Sequence, residues 1–305
     1  MLMITTKGLT KSFGKNQVVK GIDLTVEKGE IFGFLGRNGA GKSTFINMLT
    51  GIVIPTSGSY SLLGEEENHN SIKHKIGVMP DYSTFYQSMT ALKHLQFLAG
   101  VSGKKVAKET CMSVLAAVGL EGHEHKKTSK FSFGMKKKLG VAQAIIHDPE
   151  LIFLDEPTSG MDAESVLQIQ HLIRSLQKQG KTIFMTSHNL DEVEKICNRL
   201  AIMKEGRIIK SGTMEELRAF YRSNIEVKVK HSPIPVRDQE DLEQWLTING
   251  RDVEMEDTHF HVVVQEEKKI AEIIRALNRI KVDVYRVEVD EPTLEEIFLE
   301  KERQE

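Results

Sequence analysis

Short apolar runs alternate with segments of helical period along the first two thirds of this chain. Leu151-Ile152-Phe153-Leu154 is continuous and apolar, flanked by Asp148-Pro149 and by Asp155-Glu156-Pro157, which marks a strand buried on both faces. Residues 30–35 and 181–187 read the same way, and 3–6, 18–26, 76–81 and 199–204 are further strands. The strand at 76–81 is stopped by Pro80. Glu205-Gly206 forms a two-residue turn into a strand at 207–210, and the stretch 57–67 has hairpin character around Glu65-Glu66-Glu67. Helical spacing recurs at 45–49, 91–99, 106–118, 135–147, 163–179 (ended by Gly180) and 190–197. Strands alternating with helices predict a mainly parallel sheet covered on both faces, interrupted by a helical insertion over about 82–148.

After Ser223 the rhythm changes. Strand 224–230, helix 239–248, strands 252–255 and 259–265, helix 267–280 and strand 282–289 give β-α-β-β-α-β, the ferredoxin-like order. A terminal helix from Pro292 follows, with Leu294, Ile297 and Phe298 at i, i+3, i+4 spacing. Charge changes sign at the same place. Residues 225–305 hold 12 Lys/Arg against 21 Asp/Glu, and residues 1–224 hold 29 against 22. We therefore expect two domains, 1–222 and 224–305.

Between the strand at 30–35 and the helix at 45–49 lies Gly36-Arg37-Asn38-Gly39-Ala40-Gly41-Lys42-Ser43-Thr44, which fits G-x-x-x-x-G-K-[ST]. Glycines let backbone N–H groups curl around phosphate oxygens, Lys42 adds positive charge, and Ser43 offers a hydroxyl to Mg²⁺. The helix start behind the loop faces the same anion. This stretch predicts nucleoside triphosphate binding.

Other candidates follow from position. Asp155 ends an apolar strand, where phosphate-loop proteins hold Mg²⁺, and the adjacent Glu156 can polarise water for attack on a γ-phosphate. His188 ends another apolar strand, where polar groups line the ligand crevice, and can hold the water or sense the phosphate by hydrogen bonding. Ser132 and Gly134, in Phe131-Ser132-Phe133-Gly134-Met135, lie at a helix start, with Ser132 placed as an N-cap. Phe13, in the polar stretch Lys11-Ser12-Phe13-Gly14-Lys15, is read as a turn residue; it stacks on adenine or fills a small satellite cluster, and the sequence leaves both open. The basic runs Lys126-Lys127 and Lys136-Lys137-Lys138 read as solvated helix faces.

Apolar content of 40% and charged content of 28% are ordinary for a globular chain. Cys111 and Cys197 lie far apart, outside any metal-ligand spacing, and read as reduced thiols. No N-terminal targeting pattern appears, and no apolar run approaches the roughly 18 residues that span a bilayer. A membrane role would need a second chain. No basic tail or Arg-rich stripe favours nucleic acid.

These pieces, in this order, resemble the nucleotide-binding subunits of ABC transporters over about residues 1–222. The resemblance implies two such domains sandwiching two ATP molecules. Each ATP would lie between the phosphate loop of one subunit and the Ser132 segment of the other. It also implies adenine stacking by Phe13, Mg²⁺ held by Ser43 and Asp155, catalysis by Glu156, coupling by Asp162 in Ser159-Gly160-Met161-Asp162, and a switch role for His188. Two positions depart from the family's usual pattern. Phe133 stands for a glycine. Asp81 stands for a glutamine; its carboxylate can reach Mg²⁺ through water but cannot donate a hydrogen bond when ionised. Residues 224–300 are similar to the accessory domain of drug-resistance and bacteriocin-immunity exporters, with the motif Glu291-Pro292-Thr293-Leu294-Glu295-Glu296-Ile297-Phe298. We expect an ATPase powering export at the cytoplasmic face of the membrane, paired with a separate transmembrane permease that contacts the 82–89 loop through Tyr82, Phe85 and Tyr86. The competing expectations are a soluble ATPase of this type acting on nucleic acid or ribosomes, and a module that binds ATP without hydrolysing it.

Overall fold

The computed structural model describes residues 1–66, 72–81, 85–217 and 225–290. Tyr82, Glu67 and the terminal helix expected from Pro292 lie outside the described residues. The chain divides into two compact units, Met1–Met214 and Glu215–Glu305.

In the first unit, β1 (Leu2–Phe13) and β2 (Asn16–Glu27) form an antiparallel hairpin turning at Gly14, whose φ of 59° suits a residue without Cβ. β1 also pairs with β4 (Ser57–Leu62), which pairs with β5 (Glu65–Glu66), giving the order β2-β1-β4-β5. A second sheet contains β3 (Ile31–Leu35), β6 (Ile76–Met79), β7 (Leu151–Asp155), β8 (Thr182–Ser187), β9 (Arg199–Lys204) and β10 (Arg207–Thr213), in the order β10-β9-β3-β8-β7-β6. Five of these strands run parallel; β10 returns antiparallel to β9 through the turn at Glu205 and Gly206, both at positive φ. Every residue of β3, β7 and β8 is buried, as their continuous apolar runs require.

The core lies between the two sheets and takes in Phe45 from α1 (Lys42–Leu49). Phe184 is its hub, with ring centroids 5.5–6.1 Å from Phe32, Phe34, Phe45 and Phe153. Such ring pairs each contribute about 0.5–1.5 kcal/mol beyond their area. On the opposite face of the second sheet, α6 (Leu190–Ile196) packs against Gly33, where an added Cβ would come within 2.5 Å of Val193. α5 (Ala163–Lys178) packs on β8.

The expected insertion contains α2 (Ala91–Val101), α3 (Lys108–Ala117) and α4 (Phe133–Ile145). α4 seats against β6 by close backbone approach: a Cβ at Gly77 would lie 1.9 Å from the Ala144 carbonyl oxygen. That seating corrects one expectation. Lys137 is buried at 4% exposure rather than part of a solvated face, because it lies on the side of α4 turned toward the sheet. Phe13 is likewise the last residue of β1 and not a turn residue.

The second unit runs β11 (Ile225–His231), α7 (Val236–Asn249), β12 (Arg251–Met255), β13 (His259–Val264), α8 (Glu267–Arg279), β14 (Val284–Asp290). Its sheet is antiparallel throughout, in the order β12-β13-β11-β14. Alternate residues of β11, namely Ile225, Val227 and Val229, meet Leu242, Leu246, Ile273 and Leu277 of the helices in a separate core.

Candidate nucleotide site

The phosphate loop leaves β3 at Leu35 and enters α1 at Lys42. Gly41 takes φ 108°, and an added Cβ there would meet the Val18 carbonyl oxygen at 2.9 Å, so the loop's shape depends on glycine. Gly36 N–H donates to the Ser187 carbonyl oxygen, 3.1 Å, which ties the loop to the end of β8. Arg37, Asn38 and Gly39 are exposed, Ala40 is buried, and Ser43 and Thr44 open α1. Lys42 folds back so that Nζ donates to the carbonyls of Gly36 and Arg37 and lies 3.2 Å from Glu156 Oε1.

β7 and β8 deliver the acidic half of the site side by side. Asp155 is 2% exposed, and its Oδ1 accepts from Thr186 Oγ1 at 2.6 Å. Thr186 Oγ1 in turn accepts from Glu156 N–H at 2.9 Å, so one hydroxyl fixes both acidic residues. Burial pushes the Asp155 carboxyl above the usual carboxylate range, against hydrogen bonds from Thr186 and Ser43 and with the nearby carboxylates of Asp81 and Glu156 acting in the same sense as burial. Glu156 sits at φ 52°, a left-handed conformation that non-glycine residues adopt at a cost and that collects at functional sites. This bend carries its carboxylate to His188, with Oε2 2.8 Å from Nδ1. The Glu156 carboxylate is thus held between Lys42 and His188.

The structure brings together Gly36, Lys42, Ser43, Asp155, Glu156 and His188 through this chain of bonds. Other candidates stand in local arrangements. Ser132 caps α4 by accepting from Met135 N–H at 3.3 Å, and Asp162 caps α5 by accepting from Ser165 N–H at 2.9 Å. Hydrogen bonds from Ser165 N–H and Oγ hold the Asp162 carboxyl below its usual range. Gly134 has no neighbour within 4 Å of where a Cβ would stand. The Phe133 ring lies over Gly160 (φ 73°), where a Cβ would come within 2.7 Å of it, so the bulky residue of the Phe131–Met135 motif finds room on a glycine. Phe13 is 52% exposed, with Lys11 Nζ 5.0 Å from its ring centroid. Asp81 Oδ1 accepts from Lys137 Nζ at 2.7 Å. Thr186 and Lys137 were not candidates from sequence: one reads as an ordinary strand residue, the other as part of a charge run.

Ser43 and Asp155 supply a hydroxyl and a carboxylate, hard oxygen donors that suit Mg²⁺. No group of three or more His, Cys, Asp or Glu among the described residues could hold a metal by itself.

A glycine-cradled loop after β3, with carboxylates at the end of β7 one strand removed across β8, defines a phosphate-loop NTPase. The family pattern "ABC transporter" matches residues 19–159, and "ATP-binding protein DrrA1-3-like, C-terminal domain" matches 212–301. The bacitracin transport ATP-binding protein BcrA of Bacillus licheniformis is 39% identical over 74% of this chain and 75% of its own length. The linearmycin resistance ATP-binding protein LnrL of Bacillus subtilis is 32% identical over 97% of each chain. Among solved structures, an ATP-binding subunit of an ABC transporter superposes with TM-score 0.66 at 25% identity, covering 72% of this chain and 93% of its own. A dimeric bacterial ABC transporter cassette shares the fold at TM-score 0.66 and 22% identity, over 70% and 99% of the two chains. The chain belongs to the ABC transporter ATP-binding subunits, in the drug-resistance exporter branch, and it is an ATPase. These relatives favour transport over the alternative of a soluble ATPase acting on nucleic acid or ribosomes.

Proposed function

We propose that this chain powers export at the cytoplasmic face of a membrane, as the ATPase partner of a separate transmembrane permease, and that two copies close on two ATP molecules. No helix among the described residues is long and apolar enough to cross a membrane. Half-exposed Tyr86, edge-on to Phe97 at 5.2 Å, offers an aromatic contact for it, with Phe85 beside it against His94.

Within each copy, Gly36 to Thr44 cradle the phosphates and Phe13 takes the adenine ring. Ser132 and Gly134 reach the ATP of the opposite copy, and Asp162 couples the two sites. Ser43 and Asp155 would hold Mg²⁺, and Asp81 would contribute through water; the cation would offset charge on the phosphate oxygens. Glu156 orients and polarises the attacking water, and His188 fixes the Glu156 carboxylate and senses the γ-phosphate. The observation that carries this reading is the Glu156 carboxylate hydrogen-bonded to His188 at 2.8 Å and ion-paired with Lys42 at 3.2 Å, at the mouth of the phosphate loop.

The test is to trap Glu156→Gln with ATP in its native host and identify what co-purifies from detergent-solubilised membranes. Recovery of one polytopic membrane protein in near-equal amount supports the proposal. Recovery from the soluble fraction with ribosomes or nucleic acid contradicts it.

A further inference from the structure

Lys137 is the point where three segments of the ATPase meet, and the established activity assigns it no role. Its side chain is 4% exposed. An ammonium group withdrawn from water needs its three N–H donors met. One goes to Asp81 Oδ1 at 2.7 Å, just past the end of β6, and one to the main-chain carbonyl oxygen of Glu156 at 2.9 Å. The charge also lies 5.7 Å from the centroid of the Phe133 ring, one turn earlier on α4, within cation–π range. Phe133 in turn rests on Gly160, ahead of Asp162.

The Glu156 peptide is therefore held from both sides. Its N–H is bonded to Thr186 in the sheet, and its carbonyl is bonded to Lys137 on α4. The left-handed φ of 52° at Glu156 is maintained between these two anchors. A shift of α4, or of the segment after β6, moves the Lys137 ammonium and with it the Glu156 carbonyl. Such a shift turns the carboxylate relative to His188 and the phosphate loop. Asp81 supplies the countercharge that lets Lys137 occupy this place.

We propose that Lys137 is a positioning residue for ATP hydrolysis, which, paired with Asp81, sets the backbone of Glu156 and ties its carboxylate to the placement of α4. The inference rests on the reading of Glu156 as the residue that orients the attacking water. It predicts an effect on turnover and not on nucleotide binding, since Lys137 bonds the Glu156 peptide and none of the phosphate loop.

The test uses the full chain and measures steady-state kcat and KM for ATP, with binding of a fluorescent ATP analogue as a separate readout. Lys137→Met and Asp81→Asn should each lower kcat by about tenfold to a hundredfold with KM changed by less than about threefold, the scale of a misplaced catalytic group. In the uncharged pair Asp81→Asn/Lys137→Met the losses should not add, because either single change already breaks the same unit. Wild-type kcat in Lys137→Met, an equal loss of ATP binding, or additive losses in the pair would each overturn the proposal. If Lys137→Met does not fold, Lys137→Gln decides: a kcat loss with KM kept supports the proposal, and unchanged kcat overturns it. Glu156→Gln separates the two layers of the argument. Full turnover in that variant removes the Glu156 assignment itself, whereas its inactivity beside wild-type kcat in Lys137→Met removes the Lys137 inference alone.

Discussion

Lys42 Nζ stands 3.2 Å from Glu156 Oε1, with the two side chains only 6% and 10% exposed. The residue expected to carry phosphate charge and the residue expected to act on water are thus an ion pair across the mouth of the loop. A γ-phosphate drawn to Lys42 competes with this carboxylate for the ammonium. The occupancy of the loop therefore sets how strongly Glu156 is held by Lys42 rather than by His188 on its other oxygen, 2.8 Å away.

Thr186 holds the Asp155 carboxylate and the Glu156 N–H with a single hydroxyl. Thr186→Val keeps the shape, leaves the buried Glu156 N–H without this acceptor and takes one of the hydrogen bonds to Asp155, which keeps Ser43. It should destabilise the fold by about 1–3 kcal/mol, measured by urea unfolding, and lower ATP turnover. Thr186→Ser keeps the hydroxyl and should retain most of both.

Gly77 allows α4 to seat on β6. In Gly77→Ala the new Cβ would meet the Ala144 carbonyl oxygen and the Pro149 ring, neither of which is a flexible side-chain end. We expect destabilisation of about 1–3 kcal/mol by thermal or urea denaturation. Because α4 carries Ser132 and Lys137, turnover should fall at temperatures where the variant is still folded.

The two thiols should be inert. Cys111 and Cys197 are buried, and burial pushes both thiols above their usual range, Cys197 furthest. The thiolate is the reactive form, so the native protein at pH 8 should react with a thiol-specific disulfide reagent only after denaturant is added. Fast stoichiometric labelling of the folded chain contradicts the packing of α3 and α6.

Two histidines make stability depend on pH. His94 and His147 are held below the ordinary histidine range chiefly by burial. His147 donates from Nε2 to the Ile76 carbonyl oxygen at 2.9 Å and His94 from Nε2 to Gln143 Oε1 at 3.3 Å, both as neutral rings. A folded pKa below the unfolded one means that the unfolded chain binds more protons. Stability is then full above about pH 6.5 and is lost as pH falls from there through the folded pKa values. Melting temperature should drop between pH 7 and pH 5, and the drop should shrink in His94→Gln/His147→Gln. An unchanged slope in that variant shows that other groups carry the effect.

The parts legible in the sequence were those whose signal is local. Gly36 to Ser43 is one continuous motif. Asp155 and His188 stand at the ends of apolar runs, and Ser132 is an N-cap placed directly before its helix. The order of elements after Ser223 was equally plain, because alternate apolar residues such as Ile225, Val227 and Val229 declare a one-sided sheet. What escaped depends on contacts distant in sequence. Lys11, Ser12 and Phe13 look like a polar turn, yet pairing of β1 with β2 carries the strand to Phe13. The split of the strands into two sheets follows from β4 pairing with β1 instead of continuing the parallel order. Lys137 is indistinguishable from Lys136 and Lys138 until α4 is laid on β6, and Thr186 gains its role only when β7 lies beside β8.

Whether Glu156 drives ATP hydrolysis at this site is decided by steady-state phosphate release from purified wild type and Glu156→Gln. The wild type should turn over steadily. In Glu156→Gln, turnover should fall by about 10²- to 10⁴-fold, the usual worth of a general base, with ATP binding within a few fold of wild type. Turnover by Glu156→Gln at the wild-type rate would contradict that role for Glu156.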